Sequence, residues 1–441
     1  MLKLSVKAWC LCLCFIEVIW LLAAQAIGSL VLLIPCLVCF VGIVVWAALR
    51  DLAVPMILFF LPFAPLLKMK PGTISFFTIS LLIVYMVYVV KGSRNVRITH
   101  FVPALALMIL TATVKVIKGY DFSNVYILFV ISLLLIPFCV IEMGERDDFY
   151  YATVFFVLGI VTAALTSQML SDSSTIARYI NVIDEMGIQR RTGYYSDPNF
   201  YSAHITATLG GILVLLLNKI ERIQRFVLVG MVVVLLYCGL LSISKSFLLV
   251  SVCLFICWFL AFLFQQGRIS AKIVMIFTVL VIVAFILSSS VFTNLLDLMI
   301  FRLSKSTNLS DLTTHRVELW ASYMRTLGED PWMLWFGNGY SSVMVDGRAA
   351  HNTLIQSVYQ FGLIGCGILA AWFVCFIRTM LNDSRSYRLG WAQSGILLIG
   401  SFGPWMALDY LFLDELFLIP LYVCIAIRFC SRVSHVVHGD E

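Results

Sequence analysis

The sequence predicts an all-α polytopic membrane protein, and two observations lead to that fold class. Of the 441 residues, 61% are hydrophobic and only 12% are charged, whereas roughly a quarter of a soluble globular domain is charged. Three stretches without a charged residue, 21, 19 and 20 residues long, are Ser29–Leu49, Ser246–Phe264 and Ile273–Phe292. Since about 20 apolar helical residues cross a bilayer, each stretch can span a membrane. The net charge of +6 therefore concerns topology and anionic lipid rather than nucleic acid.

Hydropathy along the chain predicts about 12–14 transmembrane helices. Two of the candidate spans, 52–67 and 101–114, are short and contain proline. Proline interrupts helices, so the sequence leaves open whether these two spans are tilted, broken or re-entrant. The candidate spans lie near residues 9–27, 29–49, 52–67, 73–90, 101–114, 124–141, 149–170, 201–217, 226–243, 246–264, 273–292, 352–377, 390–408 and 411–427.

Lysine and arginine are distributed unequally over the connections between these spans. With the N-terminus inside, 17 of them lie in the short cytoplasmic connections and tails and five in the short outer connections. The positive-inside rule therefore places both termini in the cytoplasm. The N-terminus is similar to a signal peptide, but Glu17 interrupts the apolar run and a second span follows at once, which favours an uncleaved first span.

Two long polar segments, 171–200 and 293–351, contain the other eight basic residues. Four spans separate the segments, so both are expected on the same, outer face. No segment is long enough to fold alone, and residues 1–441 are therefore one integral membrane domain. All 13 cysteines lie in or beside the spans, which is typical of packing thiols rather than of metal ligands or a disulfide framework.

The first outer loop, residues 171–200, contains a possible short amphipathic helix followed by an arginine motif. Ile176, Tyr179, Ile180 and Ile183 have helical spacing. "RRTGYYSDPNF" follows, in which Asp197 or Asn199 can cap the next span. Arg190 and Arg191 either anchor the protein at the membrane surface or contact a ligand. The Thr-Gly pair after Arg191 permits close backbone approach and favours a ligand contact for that residue.

The second outer loop, residues 293–351, is predicted to be partly helical. In "THRVELWASYMRTL" the apolar residues have helical spacing, so this helix is expected against the membrane surface with Trp320 at headgroup depth. Arg316 lies in the first turn, where the helix dipole disfavours a cation. An anionic ligand at the helix start would compensate, although an exposed arginine would cost little. Gly337-Asn338-Gly339 predicts a turn that folds the loop back towards the membrane.

His351 stands where the chain enters a predicted span. A histidine at such an entrance is often an interface residue, but here it shares the outer face with Arg191 and Arg316. Guanidinium groups bind phosphate through paired hydrogen bonds, and an imidazole accepts a proton near neutral pH. We therefore expect an anionic leaving group and a proton acceptor. The chain contains no Asp-x-Asp sequence, so no metal or other cofactor is predicted.

Five further residues are possible contacts of the same ligand. Each lies beside one of the three principal residues or in an adjacent motif, and Arg348 is equally an anchor candidate. They are Arg190, Asn199, Tyr340, Arg348 and Asn352.

These motifs resemble those of the bacterial O-antigen ligase and Wzy-type polysaccharide polymerase superfamily. "HNTLIQSVYQFGLIG" is similar to its histidine-asparagine-to-glycine signature, and "RRTGYYSDPNFYSA" to its upstream arginine motif. "THRVELW" followed by "FGNGY" looks like the start of its large periplasmic loop. The resemblance covers roughly residues 185–377, in the family's order, whereas the first 170 residues are similar in hydropathy alone.

The resemblance implies a metal-independent, inverting glycosyltransferase of the C-type membrane fold in the bacterial plasma membrane. Its donor would be a glycan on undecaprenyl diphosphate at the outer face. By motif position, Arg191 and Arg316 would bind the diphosphate, and His351 would activate the acceptor hydroxyl. Membrane lipids, a glycan or lipid-linked acceptor and a chain-length regulator are the partners it implies.

The family contains enzymes with different acceptors. A polymerase of O-antigen, capsular or exopolysaccharide repeat units is favoured here. The alternative is a ligase that transfers the glycan to lipid A core or to protein. From a different class, a polysaccharide flippase or secondary transporter would need charged residues within the spans and two matching halves.

The predicted topology is testable by labelling. Cysteines introduced at Ser173, Ser306 and Ser342 should react with a membrane-impermeant maleimide applied to intact cells, because both long loops are expected outside. A cysteine at Ser384 should react with this maleimide only after the membrane is permeabilised. Reaction of the Ser384 variant in intact cells would reverse the topology and remove the reason for placing both loops on one face.

Overall fold

The structure, a computed structural model, is that of a multi-pass helical membrane protein. Among the residues that the structure describes, seven helices are long and apolar enough to cross a bilayer, and four shorter apolar helices accompany them. The described residues are 5–69, 74–91, 101–121, 126, 128–135, 146–183, 189–218, 220–264, 273, 288–304, 316–339, 344–382, 387–406, 408, 422–423 and 425–427.

Helices account for nearly all the regular structure in this part of the chain. Two 3-10 turns, Leu61–Leu66 and Gly403–Met406, and two short strands, β1 (Asn181–Ile183) and β2 (Gln189–Arg191), accompany them. The helices are α1 (Val6–Ile27), α2 (Leu30–Leu49), α3 (Ala53–Phe60), α4 (Phe76–Lys91), α5 (Val102–Lys118), α6 (Arg146–Met169), α7 (Ala177–Ile180), α8 (Pro198–Leu216), α9 (Arg222–Leu241), α10 (Lys245–Phe264), α11 (Ser290–Ser304), α12 (Arg316–Glu329), α13 (Pro331–Phe336), α14 (Thr353–Asn382) and α15 (Tyr387–Phe402).

The long predicted spans are confirmed where the chain is described. Helices α1, α2, α6, α8, α9, α10 and α14 are the seven candidate spans and match seven predicted stretches. Helices α4 and α15 coincide with two more of the predicted spans, those near 73–90 and 390–408. Most of the predicted spans 273–292 and 411–427, and half of 124–141, fall outside the described residues. The total of 12–14 therefore stays a prediction.

The two proline-containing segments differ. In 52–67 the helix α3 gives way to a 3-10 turn that contains Pro62 and Pro65, and every residue of this segment is buried. Irregular backbone is tolerated at membrane depth only when protein encloses it. A Cβ at Gly159 of α6 would collide with the Phe59 carbonyl oxygen, which shows how closely α6 covers α3. In contrast, Pro103 lies in the first turn of an unbroken α5, where proline is compatible with a helix.

Helix α8 is enclosed by the bundle. Its side chains from Phe200 to Leu215 are all buried, and it packs against α6, α9, α10 and α15. The backbones of α8 and α15 touch, since a Cβ at Gly400 would collide with the carbonyl oxygen of Thr206 and lie close to Gly210. Small residues permit such close helix packing in membranes. Helix α8 is therefore held by neighbouring helices on several sides.

A β-hairpin replaces part of the helix predicted in the first long loop. Only Ala177–Ile180 is helical, and β1 then pairs antiparallel with β2, with Asn181 opposite Arg191. The helix predicted as far as Ile183 is therefore wrong beyond Ile180. The Thr192 hydroxyl donates to the carbonyl oxygens of Tyr179 and Ile180 at 3.2 and 3.0 Å, which satisfies groups that a longer helix would use itself.

Helix α14 is interrupted at Gly362, where φ is 66° and ψ is 177°. Only glycine adopts this conformation readily. A Cβ at Gly362 would collide with the carbonyl oxygen of Trp335, and one at Gly337 would collide with that of Gln360. The predicted turn after α13 therefore also docks the chain against the backbone of α14. Asn338 extends this contact, because its backbone N–H donates to the Tyr359 carbonyl oxygen at 2.7 Å.

The contact between Gly337 and Gly362 is testable by substitution. Gly362→Ala should lower the thermal unfolding midpoint of the purified protein, since it combines a disfavoured conformation costing about 1–3 kcal/mol with a backbone collision. Gly367→Ala is the matched control, because it lies in the same helix with no neighbour within 4 Å of the added Cβ. Equal effects of the two substitutions would contradict the packing described here.

Candidate functional site

His351 occupies a strained turn at the start of α14. Its φ is +49°, in the left-handed region that non-glycine residues rarely adopt. Asn352 holds this turn, because its side-chain oxygen accepts from the backbone N–H groups of Leu354 and Ile355 at 3.0 and 3.3 Å. This is a helix N-cap. The structure therefore gives buried Asn352 a positioning role, whereas the sequence predicted a possible ligand contact.

Helix α12 packs directly on this turn. Trp320 donates from Nε1 to the Ala350 carbonyl oxygen at 2.9 Å, and the Tyr323 hydroxyl donates to that of Arg348 at 2.7 Å. Trp320 therefore contacts the histidine turn, while its predicted place at headgroup depth stays a prediction. Arg316 lies one helical turn before Trp320 and hence on the same side of α12. The helix thus brings Arg316 towards His351.

The two consecutive arginines of the first loop have different surroundings. Arg190 is buried, and its Nε donates to the Ser242 carbonyl oxygen at 3.1 Å, so it ties the hairpin to the turn between α9 and α10. Adjacent residues of a strand point to opposite faces. Arg191 is half-buried, and its Nη1 atom is buried without a hydrogen-bond partner among the described residues. An unsatisfied guanidinium nitrogen of this kind favours an anion.

The rest of the arginine motif is anchored in the bundle. The Tyr194 hydroxyl donates to Thr166 Oγ1 at 2.9 Å, and the Tyr195 hydroxyl donates to the Leu61 carbonyl oxygen at 2.7 Å. Gly193 has a φ of +58°, and a Cβ there would lie 3.0 Å from the Tyr201 ring. The close backbone approach that this glycine was predicted to permit is therefore made to the Tyr201 ring of α8. These contacts hold Arg191 in place.

Asp197 caps α8, and Asn199 links the start of this helix to the α9–α10 turn. Asp197 Oδ1 accepts from the Asn199 backbone N–H at 2.6 Å, and Asn199 Oδ1 accepts from the Ser244 hydroxyl at 2.8 Å. Asn199 is therefore engaged by the protein itself, as Arg190 is. The predicted spans 226–243 and 246–264 place a connection here, but its contact with the first loop was not predicted. The φ of +47° at the β-branched Ile243 is not visible in the sequence.

Charges from both long loops act on His351. Burial lowers the pKa of His351 below its usual value, and the nearby Arg316 lowers it further. Asp197 raises this pKa, and Arg348 lowers it by less than Arg316 does. Like charges disfavour the protonated imidazole. His351 is therefore neutral at neutral pH and able to accept a proton. Arg348 contributes as an exposed neighbour.

We call this assembly the polar end. It joins segments that are distant in sequence, and these are residues 190–199, 242–244, 316–323 and 348–352.

The structure thus brings His351, Arg316, Arg348 and Asp197 together, and Arg191 lies in the hairpin fastened to the same end. Tyr340 lies outside the described residues. Within the described part of the chain, no three His, Cys, Asp or Glu residues are placed to hold a metal ion. The metal independence of the reaction stays a prediction.

No protein-family model matches the chain, and no curated protein matches it. What the polar end does is therefore proposed from its own geometry and charge together with the resemblance of its motifs.

The charge balance at His351 is testable with two substitutions that act in opposite directions. Arg348→Gln removes a positive charge and should raise the pKa of His351, whereas Asp197→Asn removes a negative charge and should lower it. Asparagine retains the helix cap. The measurement is the pH dependence of His351 modification by diethylpyrocarbonate, which attacks neutral imidazole, followed by mass spectrometry of the His351 peptide.

Arg325→Gln is the matched control, because this arginine is exposed on α12 and does not contribute to the His351 pKa. The pH profile of His351 modification in this variant should coincide with that in the wild-type protein. Shifts of the same sign in the Arg348 and Asp197 variants would contradict the arrangement.

Proposed function

We propose that this chain is a metal-independent, inverting glycosyltransferase that moves a glycan from undecaprenyl diphosphate to an acceptor hydroxyl at the outer face of the bacterial plasma membrane. The observation that carries the proposal is the convergence at His351. A neutral histidine in a strained, capped turn shares its surroundings with Arg316 of one loop and Asp197 of the other. Strained residues cluster at functional sites, and this one lies at the end of a membrane-spanning bundle.

In the proposed reaction, His351 takes the proton of the acceptor hydroxyl as its oxygen attacks the anomeric carbon of the donor sugar. The bond between that carbon and the diphosphate oxygen breaks, and its electron pair leaves with undecaprenyl diphosphate. Arg316 and Arg191 stabilise the charge that develops on the leaving group. One displacement from the opposite face inverts the anomeric centre. The reaction needs no group beyond donor, acceptor and these side chains.

The Arg191 environment supports the donor half of this proposal. Its buried Nη1 lacks a hydrogen-bond partner among the described residues, while its neighbour Arg190 is engaged with Ser242. A buried donor left unsatisfied costs about 1–3 kcal/mol. A diphosphate oxygen would satisfy it and would use the paired geometry for which arginine is suited.

We propose polymerisation of O-antigen, capsular or exopolysaccharide repeat units as the reaction. The acceptor would then be a second lipid-linked glycan, and a chain-length regulator would be the expected partner. A ligase would use the same donor chemistry and pass the glycan to lipid A core or to protein. The two reactions differ in the acceptor that His351 serves, so product analysis with each acceptor separates them.

The roles of His351 and the arginines are separable by measuring glycan transfer beside donor binding. His351→Ala should reduce transfer by about 10²–10⁴-fold, the usual contribution of a general base, and leave binding of the lipid-diphosphate donor nearly unchanged. Transfer by the unmodified protein should persist in excess chelator. Near-normal turnover of His351→Ala would reject the general-base role.

Arg191→Lys and Arg316→Lys should both reduce transfer, because an ammonium group cannot reproduce a guanidinium fork, and at least one should also weaken donor binding. Arg325→Lys, on the same helix as Arg316 but exposed, is the matched control and should transfer normally. Donor movement across the membrane without glycosidic bond formation would support the flippase or transporter instead.

A further inference from the structure

Helix α13 carries two exposed tryptophans that the polar end does not use. It begins after Asp330, whose Oδ1 accepts from the Met333 backbone N–H at 3.1 Å, and contains no charged residue. Trp332 and Trp335 are 47% and 52% exposed. The ring centroids of Trp332 and Phe336 lie 4.2 Å apart. A contiguous exposed apolar surface marks a site of contact with a partner or a membrane.

The position of α13 is fixed by its backbone contact with α14. The Trp335 carbonyl and Gly337 touch the backbone around Gly362, which is nine residues beyond Thr353, the first residue of α14. At about 1.5 Å per residue, this contact lies roughly 13 Å along the helix axis. Helix α14 spans the membrane and starts beside His351. The end of α13 therefore lies on the membrane side of His351.

The exposed tryptophans continue a surface that is apolar on both sides. In α14, Leu363 and Ile364 follow the Gly362 contact and are exposed, and in α5 Val116 and Ile117 are exposed. Gly339, just after α13, packs against Val114 and Lys115 of α5. Exposed apolar side chains on the helices of a membrane protein face lipid. The surface of α13 lies between two such patches.

We propose that α13 is an interfacial anchor whose Trp332 and Trp335 side chains insert into the boundary between lipid headgroups and acyl chains. Tryptophan is enriched at this boundary, because its ring is apolar and its N–H is polar. The anchor is joined to the histidine turn through two paths, the Gly337–Gly362 contact and the packing of α12. It would set the height of His351 above the bilayer. This proposal does not depend on the glycosyltransferase activity.

Tryptophan fluorescence in reconstituted vesicles tests the anchor. The full chain has 10 tryptophans. The emission of Trp332 and Trp335 is therefore obtained by subtracting the spectrum of a Trp332→Phe, Trp335→Phe double variant from that of the wild-type protein. This difference emission should be quenched several-fold more strongly by lipids with brominated acyl chains than by aqueous iodide. Single variants resolve the two positions if the double variant folds poorly.

Trp320→Phe is the matched control, since Trp320 is half-buried and bonded to the Ala350 carbonyl oxygen. Its difference emission should be quenched less by brominated lipid than that of Trp332 and Trp335. Stronger quenching of the α13 tryptophans by iodide than by brominated lipid would overturn the proposal. That result would place α13 in water, as a surface for a sugar or a protein.

Discussion

The amide cap of α14 is the interaction on which the polar end depends. By accepting from two backbone N–H groups, Asn352 starts the helix and fixes His351 in a left-handed conformation. The turn so formed presents carbonyl oxygens to Trp320 and Tyr323, and these two side chains seat α12. Since Arg316 begins α12, one amide couples the histidine to a cation 35 residues away in sequence.

Much of the fold was predictable from the length and hydrophobicity of the apolar stretches, and the reason is physical. Inside a bilayer no water is present to hydrogen-bond the backbone. An apolar stretch of sufficient length therefore forms a helix, which satisfies its backbone N–H and C=O groups within the segment. Helices α1, α2 and α10 follow from this constraint without any knowledge of their neighbours. The segment 52–67 shows its limit. Its prolines left a tilted, broken or re-entrant span open, and only the packing of α6 explains why broken backbone is acceptable there.

The candidate site was predicted less completely, because its details depend on contacts between distant segments. Arg190 and Arg191 are the same residue type in adjacent positions, and strand alternation, together with the Ser242 carbonyl 52 residues away, distinguishes them. Trp320 is a residue type common at membrane interfaces, yet its indole N–H donates to the Ala350 carbonyl oxygen. His351 and Arg316 were identifiable, since their residue types and positions beside apolar segments are local properties. Asp197 was recognisable as a cap, but its nearness to His351 was not.

The charges around His351 connect ligand binding to its basicity. Arg316 and Arg348 lower the pKa of the imidazole, and Asp197 opposes them. An anion bound by Arg316 would offset part of the positive field and so raise the pKa. On the proposed function, His351 is thus a stronger base when the diphosphate donor is present than when the site is empty. A protein that only carried an anion across the membrane would gain nothing from this coupling, whereas an enzyme that must deprotonate an acceptor beside its donor would.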